Sequence, residues 1–305
     1  MSPQIWVVAA GKGGVGKTFI SSSLGITLSK LNHKVLLVDF DISGANLHTT
    51  FGQAPCSKNL SAYFNDSESL VNLIQTTQVP KLSIIQGFWD SWHQPDISQE
   101  QTRKLITDCR SLPFDYVVFD LGPGPSAPHL ELFSQANERI LVSNSEPTSV
   151  EKNYRFIEAF ICQSLRPSFN SDGYEKLVGA LKEYRTSQKS GYFSFRNHLK
   201  SCMGCDFNFF DDLDQKPIRL IINSSRSRLD QDLGHSIKSV CHKYYDFPVD
   251  YVGAVDFDNA VWQSVKTKEP VLIEKPFTPL AGEFLSICKH LTNPNLHANV
   301  FRAVI

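Results

Sequence analysis

Apolar residues cluster in short unbroken runs at 5–10, 34–40, 82–86, 116–120, 139–143, 219–223 and 250–255. These runs are rich in β-branched and aromatic residues and do not alternate with polar ones, the pattern of strands buried on both faces. Between them apolar residues recur at helical spacing, as in Val150, Tyr154, Ile157, Ile161 and Leu165, or Leu229, Leu233, Ile237, Val240 and Tyr244. Strand and helix therefore alternate. The alternation predicts an α/β fold, a mostly parallel sheet with helices on both faces, because each parallel strand pair needs a crossover. Ligands of such a sheet bind at the carboxyl ends of its strands.

The rhythm breaks once. From 166 to 217 some fifty residues separate one predicted helix from the next strand, far beyond an ordinary connection of roughly 2 to 6 residues. This stretch reads as an insertion in an otherwise single domain spanning 1–305. Residues 171–201 carry six Lys or Arg against three acids, 206–214 carry four Asp and no base, and six aromatics lie between Tyr192 and Phe210. A helical cap packing its aromatics on the main body and a partner-binding lobe both fit that composition.

Composition narrows the setting. The 305 residues hold 30 Lys plus Arg and 31 Asp plus Glu, a net charge of −1, so no overall basic field draws in a nucleic acid. No apolar run approaches the roughly 18 residues of a membrane-spanning helix, and the opening Met-Ser-Pro-Gln lacks signal-peptide character. A cytoplasmic location is expected. Seven scattered cysteines (Cys56, Cys109, Cys162, Cys202, Cys205, Cys241 and Cys288) read as reduced thiols. Only Cys202 and Cys205 have metal-ligand spacing, supplying half of a tetrahedral thiolate site that two chains together would complete.

The sharpest chemical signal follows the first strand. Gly11-Lys12-Gly13-Gly14-Val15-Gly16-Lys17-Thr18 is G-x-x-x-x-G-K-[ST] between a strand and a helix that begins by Phe19. The glycines let successive backbone N–H groups point into one concavity, and the helix adds its positive N-terminal dipole. A nucleoside triphosphate fits there, with Lys17 on the β and γ oxygens and the Thr18 hydroxyl on Mg²⁺. Lys12 is unusual: a second ammonium beside a loop already served by Lys17 costs repulsion unless further negative charge is present. Asp39, Asp41 and Asp120 stand at predicted strand ends near this loop, where carboxylates serve a Mg²⁺ site and a polarised water, or merely cap a turn.

Gly-Lys-Gly-Gly-Val-Gly-Lys-Thr resembles the deviant Walker A motif of the MinD/ParA group of P-loop ATPases. Two further segments extend the likeness: Asp39-Phe40-Asp41-Ile42-Ser43-Gly44-Ala45-Asn46-Leu47, and the Walker B-like Phe119-Asp120-Leu121-Gly122-Pro123-Gly124. The resemblance implies a P-loop NTPase fold of the SIMIBI type and a homodimer formed on ATP binding. Lys12, Lys17 and Asp41 would then be catalytic, Lys12 reaching across to the partner's nucleotide and Asp41 positioning the attacking water. Gly11, Gly13, Gly14, Val15, Gly16, Lys17, Thr18 and Phe19 would hold ATP; Thr18, Asp41 and Asp120 would hold Mg²⁺, with Asp39 in support. Asn223 would present its amide to the adenine, although it would equally close a turn with Ser224 and Ser225.

Within that group Phe51-Gly52-Gln53-Ala54-Pro55, Ser145-Glu146-Pro147-Thr148-Ser149-Val150 and Ile222-Asn223-Ser224-Ser225-Arg226-Ser227 are similar to the FlhG/FleN flagellar-placement branch. That likeness implies an ATPase switch that positions a cellular structure through a protein partner, with 166–217 as a candidate contact. Such relatives end in a basic amphipathic helix on the inner membrane face. Here residues 295–305 hold a single Arg, so packing on the body and membrane contact stand as equal alternatives. Two other functions fit the residues: an iron-sulfur scaffold ATPase similar to the Mrp/ApbC branch, suggested by Cys202 and Cys205, and a nucleotide-binding adaptor with little hydrolysis.

Overall fold

The computed structural model describes residues 2–88, 95–186, 195–204, 211, 215–245 and 247–293. Its centre is an eight-stranded sheet: β1 (Gln4–Ala9), β2 (Val35–Phe40), β3 (Gln75–Thr76), β4 (Leu82–Ile85), β5 (Tyr116–Leu121), β6 (Glu138–Ser143), β7 (Ile218–Ser225) and β8 (Val249–Asp256). The spatial order is β3-β4-β2-β5-β1-β6-β7-β8. All neighbours are parallel except β3 and β4. Each predicted strand is present, and the α/β architecture is the expected one. The two-residue β3 had no apolar run to announce it; it pairs as Gln75 with Ile84 and Thr76 with Ser83 at the sheet's edge.

Alternation along each strand divides the core in two. Ile5, Val7 and Ala9 face one cluster, Trp6, Val8 and Ala10 the other. The first is covered by α3 (Leu60–Asp66), α4 (Leu70–Leu73), α5 (Gln99–Arg110), α6 (Ala127–Gln135), α7 (Pro147–Leu165) and α10 (Arg228–Tyr245). The second is covered by α1 (Lys17–Lys30), α2 (Leu47–Thr50), α11 (Asn259–Thr267), α12 (Val271–Glu274) and α13 (Pro279–Thr292). Small residues let α1 sit directly on the sheet with Ser21 to Ser29 buried. A Cβ on Gly25 would stand 2.8 Å from the Leu37 side chain, so only glycine permits that approach.

The stretch predicted as an insertion contains α8 (Ser171–Thr186) and α9 (Phe195–Met203). Leu177, Ala180 and Leu199 are buried in the first core cluster, and Tyr184 lies 6.5 Å from Tyr245 of α10, ring centre to ring centre. The apolar face of the inserted helices therefore packs on the body as a cap would. Cys205, all but one of the aromatics between Tyr192 and Phe210, and the tail from 294 onward lie outside the described residues. Among the described residues no helix is long and apolar enough to cross a membrane.

Candidate nucleotide-binding site

The carboxyl ends of β1, β2 and β5 converge on the loop that joins β1 to α1. Gly14 and Gly16 adopt φ of 78° and 91°, conformations that L side chains rarely take. Close approach fixes two glycines as well: a Cβ on Gly11 would lie 2.1 Å from the Lys152 carbonyl oxygen, and one on Gly16 would lie 2.2 Å from Asn223 Nδ2. The loop is held from α7 by Asn153, whose Oδ1 accepts from the Gly11 N–H at 2.7 Å while its Nδ2 donates to the Val142 carbonyl at 3.1 Å. From the other strand end, the Gly124 N–H donates to the Ala10 carbonyl at 2.9 Å. The first turn of α1 then leaves its N–H groups without intrahelical acceptors, aimed at the cradle.

Lys17 is buried at this turn, and desolvation lowers its pKa against the opposing pull of Asp120 and Asp41. Asp39 and Asp120 are register partners on adjacent strands, both fully enclosed. Burial pushes both carboxyls well above the ordinary range. Asp120's charge raises Asp39 further, while N–H groups of Leu47 (2.8 Å) and Asp41 (3.2 Å) pull it back. Asp120 is pulled back by the hydroxyls of Thr18 and Ser21, the latter at 2.9 Å, and by Lys17. A buried pair of acids with one desolvated lysine and two hydroxyls at hand suits a hard, oxygen-seeking dication. Thr18, Asp120 and the nearby Asp41 would supply its oxygens, and it would offset the negative charge of bound phosphates.

Asp41 lies just past β2. Its Oδ1 accepts from Ser43 N at 3.0 Å, Ser43 Oγ at 2.9 Å and Gly44 N at 3.1 Å, which fixes the carboxylate in a local turn. It faces the loop after β5: a Cβ on Gly122 would fall 2.8 Å from Asp41 Oδ1 and 3.0 Å from the ring of buried His129. The His129 Nδ1 in turn sits 3.2 Å from the Gly124 carbonyl. Val15 is buried and Phe19 packs edge-on against Phe284 at 5.5 Å. Gly13 packs beside Pro123.

Lys12 does not join Lys17. Its ammonium pairs with Glu146, at the start of α7, on the partly exposed rim of the loop. Asn223 is buried, and its Nδ2 donates to the Val15 carbonyl at 2.8 Å, bracing the loop from β7. Its closeness to Gly16 explains why no side chain fits there. Of the residues singled out in the sequence, Lys17, Thr18, Asp41 and Asp120 are neighbours in the fold; Ser21, His129, Glu146 and Asn153, which stand among them or brace the loop, were not singled out. Only Ser21 carried a local signal, one turn beyond Thr18 on the same helix.

A family model described as ParA, NUBPL iron-transfer P-loop NTPase, matches residues 2–165. The septum site-determining protein MinD of Synechocystis sp. is 29% identical over 156 residues, covering 50% of this chain and 58% of that protein. MinD of Escherichia coli K12 is 27% identical over 168 residues, covering 53% and 61%. The chain thus spans less than two thirds of the length of these curated relatives. Among solved structures, MinD complexed with Mg-ADP from Pyrococcus horikoshii has a TM-score of 0.66 at 19% identity, covering 95% of this chain and 96% of that one. A ParA family ATPase from Chlorobium tepidum has a TM-score of 0.64 at 17% identity, covering 95% and 100%. The glycine cradle, the strand-end carboxylates and the matched model together establish that the chain belongs to the ParA family of P-loop NTPases, with MinD proteins among its relatives.

Proposed function

We propose that this chain is an ATP-driven switch: it binds Mg-ATP, closes face to face with a second copy, hydrolyses the γ-phosphate and reopens. The observation that carries the reading is the division between the two lysines. Lys17 is buried against Asp120 and Asp41 in its own cradle, whereas Lys12 stands on the rim, tethered among the described residues by an exposed carboxylate and available to a neighbour. In the closed pair each Lys12 would reach the other copy's phosphates, where one added cation is worth ~10³ to 10⁵ in rate. Slow turnover by the lone chain follows.

Within the site, Lys17 and the loop N–H groups bind the β and γ oxygens. Asp41, fixed by Ser43 and Gly44, orients the attacking water in line with the departing diphosphate. Asn223 and Asn153 keep the loop in shape, and Asn223, with one N–H on Val15, retains its Oδ1 and second N–H for the adenine. By its likeness to the FlhG/FleN branch, the switch positions a cellular structure, flagellar or polar, through a protein partner that reads the open and closed states.

Lys12→Ala tests the reading. The variant should bind nucleotide as the parent does yet remain monomeric on size exclusion with Mg²⁺ and a non-hydrolysable ATP analogue. Dimers of Lys12→Ala under those conditions would remove the lysine from its role. The matched model's iron-transfer description favours a second reading, an iron-sulfur scaffold. A brown chromophore with cluster stoichiometry after anaerobic purification would support it.

A further inference from the structure

The inserted helix pair carries a donor set that the nucleotide site does not use. His198 and Cys202 are four residues apart on α9, hence one turn apart on one face. Glu183 approaches them from α8. One ring nitrogen of His198, the Cys202 sulfur and a Glu183 carboxylate oxygen all lie within 4.8 Å of one another. The spacing within this group is informative. Cys202 Sγ stands 3.6 Å from His198 Nε2. Metal bonds of about 2.3 Å to sulfur and about 2.1 Å to nitrogen, meeting at a tetrahedral angle, place the two ligand atoms about 3.6 Å apart. The thiol and imidazole are therefore already at the edge length of a tetrahedral site, and the third donor comes from a different helix.

An ion on Nε2 of His198 would replace a bond that the ring makes in its absence. His198 lies against Tyr184 at 5.4 Å, and its Nε2 is 2.9 Å from the Ala180 carbonyl, to which it donates in the metal-free chain. We propose that Glu183, His198 and Cys202 bind one zinc-class dication, with water as the fourth ligand. Thiolate and imidazole select this class over Mg²⁺ or Ca²⁺, which prefer oxygen alone. On binding, the Nε2 proton moves to Nδ1 so that the ring stays neutral, and the Cys202 thiol gives its proton to solvent, a net release of about one proton per ion. The ion would tie α8 to α9. Such a tie is consequential because, among the described residues, this helix pair buries only Leu177, Ala180 and Leu199.

The test uses the full chain, stripped with chelator under reducing conditions and titrated with zinc chloride by calorimetry, and with cobalt(II) by absorption spectroscopy. The expected result is one equivalent of zinc, heat that varies with the buffer's protonation enthalpy, and a thiolate-to-cobalt charge-transfer band. Cys202→Ser and His198→Gln should each weaken zinc binding at least on the order of 100-fold, since a lost ligand costs no less than a lost partner of a ligand. Cys56→Ser should bind as the parent does. Zinc should raise the melting temperature of the parent and of Cys56→Ser but not of Cys202→Ser, which separates lost binding from lost folding. Absence of stoichiometric uptake, a cobalt spectrum without thiolate character, or undiminished affinity in Cys202→Ser would overturn the proposal.

Discussion

The two ends of the one sheet treat buried charge in opposite ways. At the amino ends of β6, β7 and β8, Arg219 donates through Nε to Glu138 at 2.8 Å and through Nη1 to Asp250 at 2.7 Å. His290 and Lys238 add 3.0 Å and 3.3 Å contacts to the same Asp250 carboxylate. Burial alone would raise Asp250, but the His290 hydrogen bond and the cations around it hold it well below the ordinary carboxylate range. Glu138 is less fully served, and burial outweighs Arg219 to leave it somewhat raised. At the carboxyl ends, Asp39 and Asp120 face each other with Lys17 as the enclosed cation; burial pushes both up, the charge of Asp120 adding to Asp39 and that of Asp41 to Asp120. At the first end the chain supplies a cationic partner to each acid. The second holds two enclosed acids against one enclosed lysine, the charge that the proposed Mg-nucleotide would meet, and the two arrangements lie about the length of a strand apart.

Substitutions at the two ends should therefore differ in kind. The largest effect is expected on hydrolysis at the ligand end. Asp41→Ala removes the carboxylate proposed to orient water and leaves the loop backbone, Lys17 and Thr18 in place, so phosphate release in single turnover should fall by ~10² to 10⁴ while nucleotide binding persists and dimers accumulate. Unchanged release would take Asp41 out of the reaction. At the other end, Asp250→Asn strips a carboxylate from buried Arg219 and should cost about 3 kcal/mol of stability in denaturant unfolding at neutral pH. Because the folded Asp250 lies below its ordinary value of 3.8, its contribution is present above that value and lost as pH falls through the folded one. The gap between parent and variant should thus close in acid.

Asp120→Asn should reverse that sign. A carboxyl raised in the folded state favours folding below the ordinary 3.8 and loses that contribution as pH rises through its raised value. The hydroxyls of Thr18 and Ser21 can turn to accept from the amide. Without nucleotide or Mg²⁺, the variant should be more stable than the parent by about 1 kcal/mol at pH 8, and the difference should vanish below the ordinary carboxyl value. Added Mg²⁺ with ATP should stabilise the parent more than the variant. A destabilised Asp120→Asn would mean that the pair is satisfied as it stands and that the contrast between the sheet's ends is false.

What could be read from the sequence follows the range of the contacts. The strands were legible because burial on both faces leaves an unbroken apolar run, and the cradle because its glycines, Lys17 and Thr18 are contiguous. Asp41 and Asp120 were legible as residues at strand ends. Asn153 and Glu146 were not, for they meet Gly11 and Lys12 across 142 and 134 residues, distances over which no local pattern carries information; Ser21 lies one turn past Thr18, but its bond to Asp120 spans 99 residues. Asn223 was visible as a strand-end amide, yet its bond to Val15 depends on a loop 208 residues away. The edge strand β3 is too short for periodicity to reveal.

The smallest effect concerns the rim, where the two treatments of charge meet. Lys12 and Glu146 form an ion pair open to solvent, which adds little to folding because water competes for both groups. Glu146→Gln should leave the melting temperature unchanged, unlike either buried substitution. Its consequence should appear in association. In the free chain Glu146 holds Lys12 at its own loop, so the proposed entry of that lysine into a second copy's site would require the pair to open. Weakening the pair to a neutral hydrogen bond should tighten ATP-analogue-dependent dimerisation by about twofold to fivefold, read by analytical ultracentrifugation, and the gain should shrink as salt screens the parent's pair. Weaker dimerisation of Glu146→Gln would instead show that the carboxylate steers Lys12 into the partner, making the rim pair part of the closed site.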